Sequence, residues 1–420
     1  MFPRTPSQLQ TMSDKSYDEL IEKYPVLEGV ANKKIWDYLD KCNDYTVGLM
    51  EDVWKDNVKA NLEKLYPKYK SIAHAFFDFG KDKSFIGVGA GPSLNNNIHH
   101  LDEVYRFNAQ FRLEQQPFII SACNHQFKPL LNRGIFPHLV FLSDGGSHIY
   151  DQLCKDIPKF GQSTILIASI YSDHKTLMDW TKQGRTLCFK VPGQDLYQQM
   201  FKDIIGEDPA AFTVGSGGNV LNTMFTSSLK VLHSNYFMAL GNDLSYPYDP
   251  KLEKRRSMFY ADGDYSTNIK RKGADEAKRN FTWIGFRMRD NPFQQGRKII
   301  DLEKVNTSRQ MFIYKTWLET HVAMWEADPN IWFVYYNCSE SGIAGVLAKD
   351  YEPELLDEPD NWYMLDDVVP KRWRTRSLLQ AVNEFLEASL ICREKNASPL
   401  NVIISPHEMA GANNIVQSIR

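Results

Sequence analysis

The sequence predicts an α/β protein: a Rossmann-like, doubly wound and largely parallel sheet with helical N-terminal and C-terminal extensions. Three observations point there. Short apolar runs of strand length recur from residue 83 to about 243, and several of the gaps between them leave room for a crossover helix. The runs also end in small and polar residues. In such sheets ligands bind beyond the carboxyl ends of the strands, so the residues just after each run hold the interest.

The chain has 420 residues, 43% hydrophobic and 24% charged, which suffices for two or three domains and a large core and excludes fibrous and disordered classes. A net charge of -3 with no long single-sign tail argues against a dedicated nucleic-acid binder. Basic clusters at 251–256, 270–279 and 371–376 read as solvated faces, able to attract an acidic ligand. The cysteines at 42, 123, 154, 188, 338 and 392 show no metal-ligand spacing and read as reduced thiols; no metal site is expected from them. The N-terminus lacks an apolar leader core and no apolar run is long enough to cross a bilayer, which predicts a cytoplasmic location.

Residues 1–80 read as a helical N-terminal region. From 45 to 65, Leu49, Val53, Trp54, Val58, Leu62 and Leu65 recur at helical steps, and Pro67 stops the helix; Ser13 or Asp14 can cap a shorter one before it. The central domain spans 83–346. Its strands are read at 85–88, 118–122, 139–142, 164–170, 187–191 and 236–240, with another at 331–336. A polar, aromatic and basic stretch over 246–297 reads as a loop or lid, and a helix follows from Ser308 to Trp325. An acidic, Pro-containing linker at 350–360 opens a helical C-terminal region, 350–420, with a helix near 375–395 and a last strand read at 402–404.

The stretch from Phe85 to Asn95 runs from a strand through Gly89, Ala90, Gly91, Pro92 and Ser93 into a helix. Missing Cβ atoms let a phosphate approach the main chain, and bare N–H groups at a helix start favour an anion. The same glycines also suit a turn that only packs a helix close to a strand. The turn is neither a Walker loop nor a complete Gly-x-Gly-x-x-Gly. A second glycine-rich approach to a helix comprises Gly215, Ser216, Gly217, Gly218 and Asn219. Other strand ends carry Asn124, Asp144 with His148 nearby, Asp243, and the Asn337, Ser339 and Ser341 turn.

This ordered set, together with Gly134 to Pro137 before a strand ending in Asp144, resembles the Maf (motility-associated factor) flagellin glycosyltransferases and the MptE-like hydroxymethylpterin diphosphokinase domains over roughly 83–346. More distantly it is similar to bacterial sialyltransferases that use CMP-sialic acid. The resemblance implies transfer of a sugar, of the nonulosonic or sialic type, from a CMP-linked donor to a hydroxyl acceptor. That acceptor is open among protein, glycan, lipid-linked glycan and modified nucleic acid. It also implies that Gly89, Gly91, Pro92, Ser93 and the 215–219 turn hold the nucleotide, while Tyr246 and Tyr260 reach its phosphate without a metal.

One departure stands out: where the sialyltransferases carry a catalytic His, residues 301–306 here have none. Asp144 with His148 becomes the candidate general base, followed by Asp301 and Glu303. An MptE-like diphosphokinase, moving pyrophosphate from ATP to a small alcohol, is the alternative, with Mg²⁺ held by Asp144 and Asp243. A non-catalytic nucleotide-binding protein of the same fold is the third reading.

Overall fold

A computed structural model describes residues 17–23, 50–157, 163–209, 213–215, 217–248, 280–293, 298–329, 331–348, 362–364 and 373–394. The chain enters through α1 (Tyr17–Lys23), α2 (50–64) and α3 (Ile72–Phe76). It then alternates β1 (Ser84–Val88), α4 (Leu94–Asn108), β2 (Phe118–Cys123), α5 (Asn124–Asn132), β3 (Leu139–Leu142) and α6 (Ile149–Leu153). Next come β4 (Ile165–Ser169), α7 (His174–Lys182), β5 (Leu187–Pro192), α8 (Asp195–Ile205), β6 (Thr213–Val214), α9 (Val220–Lys230) and β7 (Tyr236–Leu240). After β8 (Tyr246–Pro247), β9 (Asn280–Asp290) and β10 (Lys298–Ser308) come α10 (Arg309–Ala327), β11 (Val334–Asn337) and β12 (Ser341–Gly342). Beyond them are β13 (Val346–Ala348), β14 (Trp362–Met364), β15 (Trp373–Thr375) and α11 (Leu378–Glu394).

Nine strands form one parallel sheet in the order β15-β11-β7-β1-β2-β3-β4-β5-β6. The order follows from the winding: the chain builds outward from β1 to β6, then returns to lay β7 on the other side of β1. The reversal therefore falls between β1 and β7, where a doubly wound sheet opens its crevice.

Central strands are buried along their whole length, as expected where helices cover both faces. On one face, α9 and α10 press Met224, Phe225 and Leu318 against Phe85, Phe141, Ile167 and Phe237. On the opposite face α4 and α11 cover β1, β2 and β7, while α2, α7 and α8 cover β3, β4 and β5. The N-terminal helix predicted from the Val58, Leu62 and Leu65 spacing thus belongs to the main core.

The sequence reading places a loop or lid over 246–297 and a helical region beyond 350. Within the described residues, β8 and β9 lie in the first stretch, and β9 pairs with β10 as a long antiparallel ladder in the sheet β12-β9-β10-β8. In the second, β15 joins the main sheet beside β11 ahead of α11. Residues 402–404, like Ser13 and Asp14, lie outside the described residues.

Candidate functional site

The carboxyl ends of β1, β3, β4, β5 and β7 form one rim, and two glycine-rich turns stand on it. They differ in what fills them. From Gly89 to Asn96, every backbone amide except that of Ala90 donates within the protein; Pro92 has none to give. Gly89 N–H donates to Leu240 O at 2.8 Å and Gly91 N–H to Gly241 O at 2.8 Å. Ser93 N–H donates to Asp243 Oδ2 at 2.7 Å, and the Ser93 hydroxyl bonds Asp243 Oδ1. A carboxylate of the protein itself therefore stands at the start of α4, where an external anion was expected.

The glycines of this turn serve that closure. A Cβ on Gly89 would lie 2.5 Å from Gly241 O, and one on Gly91 would lie 2.7 Å from Asp243 Cγ. Asp243 is fully buried, and burial pushes its carboxyl up to about 7 against the two Ser93 hydrogen bonds. The third turn locks onto the same point. Asn242 N–H donates to Ser339 Oγ at 2.8 Å, Ile343 N–H donates to Asp243 O at 2.9 Å, and Asn337 Nδ2 donates to Ala344 O at 2.9 Å. Ser341 sits on β12, opposite Arg287.

The second turn leads into α9, whose N-cap is Asn219: its side chain accepts from Asn222 N–H at 2.8 Å. Gly217 and Gly218 have φ of 53° and 77°, and a Cβ on them would run into the Trp317 and Tyr314 rings of α10. Among the described residues, the amides of Gly217, Gly218, Val220 and Leu221 make no backbone hydrogen bond, so the start of α9 keeps open donors that α4 lacks. Gly215 O accepts from Thr226 Oγ1 at 2.6 Å. Ser216 lies outside the described residues.

Asp144 and His148 belong to this second patch. Ser143, the residue before Asp144, places its Oγ 3.4 Å from Thr223 Oγ1 in the first turn of α9. Asp144 Oδ2 is 3.2 Å from His148 Nε2, and Asp144 Oδ1 accepts from Gly146 N–H at 2.8 Å. Both side chains are open, at 44% and 65% exposed. Tyr171 O–H donates to Ser143 O at 3.1 Å and stacks on Trp54.

The other candidates lie apart. Asp301 and Glu303 sit on β10, paired with Arg289 and Arg287 across the ladder. Asn124 opens α5 and donates to Gln152 Oε1 at 2.6 Å. Tyr246 is buried on β8, paired with Asn306, and Tyr260 lies outside the described residues. Asp144 follows β3 and Asp243 follows β7, with β1 and β2 between them in the sheet. Three strand spacings amount to about 14 Å, so the expected Mg²⁺ shared by these two carboxylates does not fit; both would have to approach it to about 2 Å.

One rim residue escaped the sequence reading. Lys190 lies in the β5 run with its amine fully buried, and its signal was a lone cation inside an otherwise apolar strand, Leu187 to Pro192.

Residues 56–249 match the family described as 6-hydroxymethylpterin diphosphokinase MptE-like. The segment so matched runs from α2 to just beyond β8 and includes both rim turns. Among solved structures the chain is similar to a Maf glycosyltransferase from Magnetospirillum magneticum AMB-1, at 16% identity and a TM-score of 0.45, over 87% of this chain and 42% of that one. This chain thus spans less than half of that protein's length. A comparison with curated proteins gives no match.

Proposed function

We propose that the chain, whose residues 56–249 match the MptE-like family, is a glycosyltransferase. In this reading its donor is a nucleotide-activated sugar, with a CMP-linked nonulosonic acid as the first class to test, and its acceptor is a hydroxyl. The observation that carries this reading is the placement of the Asp144–His148 pair beside the open start of α9, through the Ser143–Thr223 contact. An anionic donor on the α9 amides would then lie next to a group able to take a proton from the attacking hydroxyl. The acceptor oxygen attacks the anomeric carbon, Asp144 takes its proton, and the bond to the nucleotide phosphate breaks with the electron pair leaving on that phosphate.

His148, 3.2 Å from Asp144, holds the carboxylate in place and supports its charge when protonated. Donors from the protein suffice for the leaving phosphate in this scheme, so it requires no metal. The diphosphokinase reading keeps its support in the family description, but it needs a Mg²⁺ held otherwise than by Asp144 and Asp243 together.

A thermal-shift series with CMP, UDP, GDP and ATP, with and without Mg²⁺, separates the readings. Stabilisation by CMP without metal, with CMP release from a CMP-activated sugar, is the expected result. Stabilisation by ATP with Mg²⁺ alone would make the chain a diphosphokinase, and no response to any nucleotide would remove both activities.

A further inference from the structure

Among the described residues, four lysines are buried: Lys83, Lys190, Lys230 and Lys315. Lys83 Nζ donates to Glu114 O and Gln116 O at 2.7 Å each, and Lys315 pairs with Glu319 at 2.6 Å. Lys230 also interacts with neighbouring groups. Lys190 is 0% exposed, and its amine has no hydrogen-bond partner. Among the described residues no charged group perturbs it either; burial draws it down to about 7. An unpaired ammonium held in a protein interior costs several kcal/mol, so Lys190 sheds its proton readily at rest and holds a charge only beside a counter-ion, which no described residue supplies.

Strand register shows where that counter-ion would sit. Lys190 lies opposite Ser169 at the carboxyl end of β4. Its side chain projects to the same face as Cys188, two residues earlier on β5, which belongs to the core cluster shared by α3, α9 and α10. Phe141 pairs with Ile167, and Leu142 with Ala168, so Ser143 continues the row formed by Ser169 and Lys190. Ser143 touches Thr223 at 3.4 Å, and the amides of Val220 and Leu221 at the start of α9 are open. The Asn219 amide nitrogen, Nδ2, is likewise buried without a partner. Unpaired backbone and amide donors and an unpaired amine thus lie along one row of the rim.

We infer that Lys190 is the counter-charge for the phosphate of a ligand seated over the ends of β3, β4 and β5 at the start of α9. The inference rests on the transferase reading for the nucleotide's identity, but not for the phosphate. The flexible four-carbon stem lets the amine swing from its buried resting place toward the anion, where it is held charged. Lys190 would then act on binding and on the leaving phosphate, with Asp144 acting on the acceptor.

The test compares CMP, cytidine and inorganic pyrophosphate by calorimetry on the full chain, in wild type, Lys190→Met and Lys190→Gln. In wild type, CMP should bind at least tenfold more tightly than cytidine. In both variants that advantage should collapse while cytidine binding is unchanged, and Lys190→Met should melt at or above the wild-type temperature because a buried unpaired amine is gone. A CMP advantage retained in either folded variant would overturn the inference and leave the transferase reading standing. Pyrophosphate binding that depends on Lys190, without CMP binding, would support the inference and sink the CMP reading. Wild type that binds neither anion would refute the phosphate role.

Discussion

The turn before α4 and the turn before α9 look alike in sequence, yet they have opposite electrostatics. The first is closed by Asp243, a carboxylate that accepts from Ser93, and nearly all its amides are engaged. The second has open amides and an unpaired lysine beneath the same rim. A glycine-rich helix approach thus marks a place where something comes close to the main chain. Whether that something is a ligand or another part of the protein is decided by residues far away in sequence, here about 150 positions on.

The largest expected effect tests which turn serves catalysis. Asp144→Asn should lower kcat for sugar transfer by roughly 10²–10⁴-fold, the usual contribution of a general base, with little change in melting temperature because the side chain is 44% exposed. Steady-state kinetics checks this, and an unchanged rate would detach the second turn from the chemistry.

Next in size are the glycines. Gly218→Ala meets the Tyr314 ring at a φ of 77°, and Gly91→Ala meets Asp243 and Gly241 O. Each should cost about 1–3 kcal/mol by overpacking, with added backbone strain at Gly218, read as a shifted denaturant midpoint. Free tolerance at Gly91 would mean that the first turn has room for a ligand after all.

Ser93→Ala should cost about 1–3 kcal/mol, since a buried carboxylate loses a partner, while CMP affinity stays unchanged. Weakened binding with full stability would reverse the two turns' roles. Asp243 adds a pH signature. Its folded value, about 7, lies above the ordinary 3.8, so the folded protein keeps a proton that the unfolded chain has released between those values. That contribution to stability is complete below about pH 4 and is lost as pH rises through 7, and Asp243→Asn should flatten the profile over this window.

The smallest effect is expected outside both turns. Asp301→Asn and Glu303→Gln break partly exposed pairs with Arg289 and Arg287 and should each change stability by less than about 1 kcal/mol. A loss of transfer activity in either variant, measured in the same kinetic assay, would move the general base to β10.

Most of the central sheet was legible because a parallel strand buried on both faces writes itself as an apolar run: Phe85 to Val88 and Tyr236 to Leu240 are strands as read. The β9–β10 ladder was not read although Ile300, Asp301, Leu302 and Glu303 alternate as strand residues do: Ile300 and Leu302 remain open to solvent, so no buried apolar run marks this ladder as one marks the central strands. Thr213 and Val214 form too short a strand for any pattern.

The position of the site was legible as small residues at strand ends, but its polarity was not. Nothing in the spacing of Gly89, Gly91 and Ser93 announces that Asp243 will fill the turn. Lys190 offered a signal, one cation in a run otherwise apolar, that helix and turn patterns do not weigh.

The most direct test of the difference between the two turns is a backbone-amide NMR titration of the deuterated full chain with CMP. The amides of Gly217, Gly218, Val220 and Leu221 should shift with ligand concentration, while those of Gly89, Gly91 and Ser93 stay still. Shifts confined to Gly89, Gly91 and Ser93 would contradict the account.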